Sequence, residues 1–471
     1  MMKKNLLSGR DRELAEMAEQ YENARANRQS IYLDAEDMAD LADWYSVRQK
    51  REQALEVVEY GLKIHPENTA LLTEEAYLYL DDYDTHSARE IANLLDENLP
   101  DTKILQAQIL ILEEREEEAD RLLDTIEDKE EIDTMINVAY MYINVNKPDK
   151  AMAWLKPGLG KYEDDEPFLG VLADAYYGVG ELEKATDTYN ALIDKNPYSA
   201  VYWFGLARCY FDSQKYDKAI EASDYAIVSD DEFAEAYLLK GHSFFFLDND
   251  EKGLENFREA ARLGAVSQCF IDTFTGLSES GKEHWEAGLE HLLKAIDEYE
   301  DDAQISLPAL YANSGICFRK LGQKRKASHY WKKAHELDPT DAGLYLLEGR
   351  MYLEEHLFDK SVRCWKQALV FAPTAQTWHE IGISFMEYGY MEQARAALEY
   401  VKKVEPDFHD INEKLATVYL MLKDKDNFMR YNQLCKRPIT TEDLEKVYEL
   451  LKSENKEDLV EAMKRILDAL Q

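Results

Sequence analysis

Apolar and polar positions along this chain follow the spacing of amphipathic α-helices, and the helices come in pairs. One apolar stripe contains Leu206 and Tyr210, and a second stripe follows at Ala219, Ser223 and Ala226. Residues spaced three to four apart lie on one face of a helix. The sequence therefore predicts helical hairpins in which two apolar faces meet.

The hairpin pattern recurs with a period near 34 residues. A small or apolar residue, called here the marker, recurs at positions 42, 76, 110, 139, 173, 207, 241, 276, 315, 349, 382 and 416. In most units a second small residue follows the marker by 12 positions, as Ala219 and Ala394 do. Six of the eleven prolines lie 24 positions after a marker: Pro66, Pro100, Pro197, Pro339, Pro373 and Pro406. Small residues let two helices approach closely, and we expect proline to end the second helix of the unit.

This pattern resembles the tetratricopeptide repeat family, whose consensus reads W-x2-L-G-x2-Y…A-x3-F…P. The best matches are Trp203-x-x-Leu206-Ala207-x-x-Tyr210 with Ala219, and Trp378-x-x-Ile381-Gly382-x-x-Phe385 with Ala394. The resemblance implies an all-α protein, an α–α solenoid wound as a right-handed superhelix of about twelve hairpins. One hairpin cannot bury both of its stripes, so neighbouring hairpins must stack.

The repeat suggests three segments: a lead-in and capping helix within residues 1–34, an array over 35–438, and capping helices within 439–471. We expect terminal helices at 12–28, at 441–451 with Thr441 as N-cap, and at 457–470. In the third unit Ala119 follows Leu110 by only nine positions, which predicts a shortened turn between the two helices. In the eighth unit we expect the turn at 278–282.

The charge is strongly negative and unevenly distributed. The 471 residues contain 94 acidic and 55 basic side chains, a formal net charge of −39. Residues 1–240 carry 53 acids and 25 bases, against 41 and 30 in residues 241–471. Nucleic acids and anionic membranes attract basic proteins, so we expect neither as a partner. The acidic balance instead favours a basic or aromatic-rich partner for the amino-terminal half.

Other features of the composition favour a soluble, cytoplasmic protein. The first ten residues lack the apolar core of a secretory signal, and no apolar stretch reaches the length of a membrane span. The five cysteines are odd in number and none belongs to a C-x-x-C pair, which argues against a disulfide framework or a zinc site.

Candidate chemistry is sparse. Residues 276–283 nearly match a phosphate-binding loop, but Glu283 replaces the hydroxyl residue that would hold Mg²⁺. His284 and His291 are seven positions apart, too far for the two-histidine zinc motif on a helix. No nucleophile motif is present, and the array leaves no block large enough for a catalytic domain. We therefore expect no enzyme activity, no cofactor and no metal.

The family resemblance implies where a partner would bind. In this family the first helix of each unit lines a concave groove. Aromatic and arginine residues are the usual anchors of binding, which selects six groove candidates at the matching positions: Tyr140, Asp174, Phe204, Arg208, His242 and Arg350. Asp43 and Tyr77 hold matching groove positions earlier in the chain.

The leading hypothesis is a non-catalytic interaction scaffold that binds a peptide or protein in this groove. Alternatives are a regulatory or assembly subunit of an enzyme complex and, less favoured because of the charge, an RNA-binding helical repeat protein. The carboxylate clamp of chaperone-binding family members needs Lys, Arg and Asn at positions that hold Ala39, Asp43, Glu74, Ile104 and Gln108, so we expect no such clamp. A basic stretch at 319–333 is either a docking site or a solvated helix face.

Overall fold

The structure, a computed structural model, describes residues 11–27, 29–48, 50–300, 304–453 and 464, and these are helical with no strand. They form two compact units, residues 1–271 and 272–471, whose boundary falls within helix α16. No helix in this part of the chain is both long and apolar enough to cross a membrane. The helix expected at 457–470 lies outside the described residues.

The first unit contains helices α1 to α15. They are α1 Asp11–Ala26, α2 Ala35–Val47, α3 Arg51–Ile64, α4 Thr69–Asp81, α5 Thr85–Ala92, α6 Pro100–Leu112, α7 Glu116–Leu123, α8 Ile132–Asn144, α9 Pro148–Leu155, α10 Glu166–Gly178, α11 Leu182–Lys195, α12 Ala200–Asp212, α13 Tyr216–Ser229, α14 Ala234–Phe246 and α15 Asp250–Arg262. Helix α1 lies where the sequence predicts the lead-in helix.

The second unit contains the remaining helices. After α16 (Gln268–Gly281) come α17 Trp285–Asp297, α18 Leu307–Lys320, α19 Lys324–Leu337, α20 Ala342–Glu354, α21 Phe358–Phe371, α22 Ala375–Glu387, α23 Met391–Val404, α24 Ile411–Met421, α25 Lys425–Asn432 and α26 Thr441–Ser453. Helices α2 to α25 pair as twelve hairpins, so the predicted all-α solenoid is confirmed. Helix α26 begins at Thr441, but its cap is Thr440, whose hydroxyl accepts the Asp443 N–H at 3.1 Å.

Small residues on the first helix of a hairpin make room for large side chains on the second. A Cβ added at Gly349 would lie 2.2 Å from the Trp365 ring nitrogen, and one at Gly241 would lie 2.5 Å from the Phe257 ring. Both distances are far inside van der Waals contact, so only glycine fits where these rings cross the first helix. The recurring small residue is therefore a packing requirement of the hairpin.

The turns within the hairpins share one backbone feature. Seven positions after the marker, the chain adopts a left-handed conformation with φ between 55° and 81°. The residues concerned are Tyr83, Glu114, Asn146, Gly180, Gln214, Asp248, Glu283, Gly322, His356, Gly389 and Lys423. This conformation reverses the chain at the end of the first helix, and it occurs even where the side chain is not glycine.

This feature corrects the sequence analysis of the third unit. Its left-handed residue is Glu114, so its marker is the fully buried Ala107 rather than Leu110. Ala107 precedes Ala119 by the usual 12 positions, and the turn at 113–115 is not shortened. The residues missing from this region come from second helices of eight residues, α5 and α7, against 14 residues in α3.

Two further expectations were wrong in detail. Helix α16 continues through Gly281, so the turn of the eighth unit lies at 282–284 rather than 278–282. Pro100 does not end a second helix but is the first residue of α6, where its missing N–H leaves no intrahelical hydrogen bond unmade.

Candidate functional site

Six successive first helices of the first unit contribute to one cavity of about 710 Å³, called here the unit 1 cavity. Helices α2, α4, α6, α8, α10 and α12 each contribute the residue that directly follows the marker. These residues are Asp43, Tyr77, Gln108, Tyr140, Asp174 and Arg208. Since the register is constant from hairpin to hairpin, one position of the repeat is enough to line a continuous surface.

The charged side chains that line the cavity are mostly acidic. The lining contains five carboxylates (Asp43, Glu74, Asp81, Asp82 and Asp174) and two guanidinium groups (Arg51 and Arg208). Asp43 and Glu74 are only 4% and 5% exposed. Burial, together with the nearby carboxylates of Glu74, Asp101 and Asp43, raises the pKa of Tyr77 well above its usual value. The cavity is thus an acidic, tyrosine-lined environment that favours cationic groups.

Arg208 lies in an ordered cluster at the α10–α12 side of the cavity. Its guanidinium is 3.9 Å from the centre of the Tyr177 ring and 3.8 Å from Asp174 Oδ1. The Tyr189 hydroxyl donates a hydrogen bond of 2.5 Å to the same Asp174 oxygen. Burial and the Asp174 charge raise the pKa of Tyr189 well above its usual value, which keeps this donor protonated. Tyr177 in turn donates to Asp212 at 2.5 Å.

The cavity also contains a residue that is not among the six predicted groove candidates. Gln108 on α6 is 8% exposed, and its buried side-chain oxygen has no hydrogen-bond partner among the described residues. A buried amide oxygen without a partner loses its hydration without compensation. The signal that would have identified it is Ala119, because counting 12 positions back from Ala119 gives the marker Ala107.

The structure brings three of the six predicted groove candidates together in the unit 1 cavity: Tyr140, Asp174 and Arg208. Phe204 packs edge-to-face on Phe233 with ring centres 5.0 Å apart. His242 packs against the Phe257 and Phe270 rings, and burial lowers its pKa to about 4. Arg350 belongs to the second unit and forms an ion pair of 2.8 Å with Glu387.

The other candidate features occupy ordinary structural positions. The stretch resembling a phosphate-binding loop is helical up to Gly281. His284 bonds Glu279 at 2.8 Å and His291 bonds Asp272 at 2.7 Å, so the two rings have separate partners. No metal-binding group of three His, Cys, Asp or Glu residues occurs among the described residues. Burial raises the pKa of the Cys209 thiol to about 11, which disfavours the nucleophilic thiolate.

Part of the basic stretch at 319–333 is used within the second unit. Arg319 bonds Glu355 at 2.5 Å, and Lys320 forms an ion pair with Glu354. The ammonium group of Lys333 lies 4.9 Å from the centre of the Tyr311 ring. These contacts tie α18 and α19 to their surroundings and reduce the charge that the stretch offers to a partner.

The helical hairpins are stacked, and successive hairpins contribute the residue at the same position of the repeat to one cavity. This arrangement defines an α-helical repeat protein. Residues 171–236 match the family model described as tetratricopeptide repeat. The same hairpin recurs on both sides of that segment. The chain thus contains tetratricopeptide repeats.

The chain is similar to proteins that carry different names. It is 20% identical over 241 residues to anaphase-promoting complex subunit 3 of Schizosaccharomyces pombe, which covers 51% of this chain and 30% of that protein. It is 23% identical over 239 residues to the Hsp70-Hsp90 organizing protein of Triticum aestivum, which covers 43% of this chain and 40% of that protein. The chain thus spans less than half the length of either relative. A solved tetratricopeptide repeat protein from Parabacteroides merdae is 16% identical and covers 54% of this chain and 98% of its own, with a TM-score of 0.45.

Proposed function

We propose that this protein is a non-catalytic interaction scaffold and that the unit 1 cavity binds an extended peptide segment with basic and aromatic side chains. The observation that carries the proposal is the cavity lining. Five carboxylates outnumber two guanidinium groups there, and Asp43 and Glu74 are almost completely buried. Such a surface attracts lysine or arginine side chains, and the tyrosine rings offer them flat contact surfaces.

The buried amide of Gln108 supports a peptide rather than an isolated cation as the ligand. Its side-chain oxygen lacks a partner, and a backbone N–H of an extended peptide would supply the missing donor. The Arg208 cluster offers a complementary group at the other side of the cavity. Arg208 is one of the two basic residues of the lining and could receive a carbonyl or carboxylate of the same ligand.

A role as a subunit of a larger assembly is the second proposal. The observation that favours it is the similarity to a protein named as a subunit of the anaphase-promoting complex. Affinity purification of the tagged chain from its native cells would test it. Recovery of a stoichiometric, array-dependent complex supports an assembly role, and recovery of the chain alone contradicts it.

The cavity is tested by titration with a short fluorescein-labelled probe of alternating lysine and tyrosine residues. We expect saturable binding that weakens as salt is added, and no binding of a matched probe with glutamate in place of lysine. The double variant Asp43→Asn/Glu74→Gln should weaken binding by about tenfold or more, because each carboxylate loses a charge-assisted contact.

A matched control removes the same charge elsewhere. Glu183 and Asp187 are exposed residues of α11 that do not line the cavity. The variant Glu183→Gln/Asp187→Asn should bind the lysine probe as the unmodified protein does. Equal weakening in both double variants would mean that the net charge of the chain, not the cavity, attracts the probe, and the proposal would be wrong.

A further inference from the structure

Two ion pairs join turns of the first unit that are far apart in sequence. Arg48 Nη2 lies 2.9 Å from Asp230 Oδ2, and Lys50 Nζ lies 3.1 Å from Glu232 Oε2. In each ion pair, the two residues are 182 positions apart in the sequence. By contrast, ion pairs such as Arg319–Glu355 join a hairpin to its neighbour.

The Arg48–Asp230 pair is held in place on both sides. The two side chains are only 16% and 17% exposed, and the Arg48 guanidinium stacks 4.0 Å from the centre of the Trp44 ring. Asp230 Oδ1 accepts the backbone N–H of Glu232 at 3.1 Å, which leaves Oδ2 for Arg48. A shielded pair with preset geometry is more stable than a fully exposed one, since neither side chain loses much freedom on pairing.

The positions of these turns relate the ion pairs to the unit 1 cavity. Arg48 and Lys50 follow α2, the first helix that lines the cavity. Asp230 and Glu232 follow α13, which is the second helix of the hairpin that begins with α12, the last lining helix. The ion pairs therefore join the first and last hairpins of the cavity wall and close the hairpins between them into a ring.

We propose that Arg48, Lys50, Asp230 and Glu232 form an ionic clasp that controls access to the unit 1 cavity. The proposal rests on peptide binding in that cavity. With the clasp closed, a peptide enters only by threading a free end, and an internal segment of a partner enters only after the clasp opens. Ion pairs suit such a gate because salt screens the attraction between their charges.

The state of the clasp can be measured without any ligand. Two introduced cysteines, Glu52→Cys on α3 and Val228→Cys on α13, carry a donor and an acceptor fluorophore. The same protein carries Cys364→Ala, so that this native thiol is not labelled. Both positions are exposed, Val228 by 84%, and the remaining native cysteines are buried. Single-molecule energy transfer should report one short distance at low salt and a longer, broader distribution in 1 M salt.

Charge reversal isolates the ion pairs from other effects of salt. Arg48→Glu/Lys50→Glu should produce the longer distribution already at low salt. Adding Asp230→Arg/Glu232→Lys to that variant restores opposite charges and should restore the short distance. If charge reversal leaves the short distance unchanged, other contacts hold the turns together and the clasp is refuted.

Gating is measured with two forms of the lysine–tyrosine probe in stopped-flow experiments. One form has a free end, and the other is flanked on both sides by a small folded domain. Arg48→Glu/Lys50→Glu should speed the association of the flanked probe by about tenfold and leave that of the free-ended probe nearly unchanged. An equal effect on both probes would refute gating, even if the label distances show a clasp.

These readouts separate the two proposals. If neither probe binds the unmodified protein, both the proposed peptide function and its gating are refuted, while the label distances still decide whether the clasp closes the ring. If both probes bind and the label distance never responds to charge or salt, peptide binding stands and the clasp is refuted.

Discussion

The two units place different chemistry at the same position of the repeat. In the first unit, the residue after the marker is polar or ionisable in every helix that lines the cavity, for example Asp43, Gln108 and Arg208. In the second unit, the matching position holds Ile316 and Ile383, as well as Arg350, which is paired with Glu387 at 2.8 Å. Because the hairpin geometry is shared, the comparison teaches that the chemistry of the cavity depends on side chains at one register position rather than on the fold.

Both units contain ion pairs between neighbouring hairpins, such as Arg51–Asp82 in the first unit, and the first unit adds a pair of longer range. In the second unit, Arg319 and Lys320 bind Glu355 and Glu354 of the next hairpin. Such contacts fix neighbouring hairpins relative to one another. In the first unit, Arg48 reaches across four intervening hairpins to the turn that contains Asp230. Nearest-neighbour contacts stabilise the stack, whereas this long-range contact constrains the cavity as a whole.

The largest expected effect tests whether the two units are stabilised separately. Trp365 is 3% exposed, packs edge-to-face on Phe385 at 4.7 Å and donates to the Leu346 carbonyl at 3.1 Å. Trp365→Ala removes this packing beside Gly349 and should destabilise the second unit by about 3–5 kcal/mol. Hydrogen exchange should speed up in α20 to α23 and stay unchanged in α4 to α12. Equal acceleration in both groups of helices would show that the units unfold together.

A smaller effect separates the units by pH. His242 is half-buried beside two phenylalanine rings with a pKa of about 4, against about 6.5 in an unfolded chain. Between these values the unfolded state binds more protons, so the first unit should lose stability as pH falls from about 6.5 to about 4. The difference is worth about 3 kcal/mol and is complete below pH 4. His242→Phe should remove this component of the denaturation profile; an identical profile in the variant would contradict the assignment.

The second unit provides the control for that pH dependence. Its buried His379 bonds Asp410 at 3.1 Å. Burial alone would raise the pKa of Asp410, but the hydrogen bond and charge of His379, aided by Lys414, lower it overall. A carboxyl with a lowered pKa stabilises the fold above its unfolded pKa and loses that contribution only as pH falls through the folded value. We therefore expect exchange in α22 to α24 to resist acidification until below about pH 4.

The hairpins could be predicted because their cause is local and repeated. The markers and the small residues that follow are packing sites, so each hairpin repeats them. The turn conformation could not be predicted from the sequence. Positive φ normally indicates glycine, but residues such as Glu114 and Asp248 adopt it here. The short helices α5 and α7 reduce the spacing on both sides of Ala107, which moved the predicted marker of the third unit to Leu110, and Gln108 was missed among the groove candidates.

The candidate site was predictable only in part, for a different physical reason. Position in the repeat predicts which residues point towards a groove, and Asp174 and Arg208 do line the cavity. It does not predict which aromatic side chains pack against each of them. Phe233 packs against Phe204, and Phe257 packs against His242, and both contacts depend on tertiary structure. Position in the repeat also does not predict exposure, since Tyr140 lines the cavity but is only 4% exposed.

The smallest expected effect comes from a comparison of two residues on a single helix. Gln108 and Thr102 both lie on α6, are 8% and 1% exposed, and each has a buried side-chain oxygen without a partner among the described residues. Only Gln108 lines the cavity. Replacing either residue with an apolar side chain of similar size, Gln108→Leu or Thr102→Val, should raise the free energy of unfolding by about 1 kcal/mol, because an unsatisfied buried polar group is removed.

The two variants should differ in binding. Gln108→Leu should weaken binding of the lysine–tyrosine probe severalfold, because the acceptor for a peptide N–H is lost, whereas Thr102→Val should leave binding unchanged. Chemical denaturation and probe titration of both proteins measure the two quantities separately. If Gln108→Leu binds the probe as well as Thr102→Val does, the peptide does not bond Gln108, and the acidic residues alone would account for binding in the cavity.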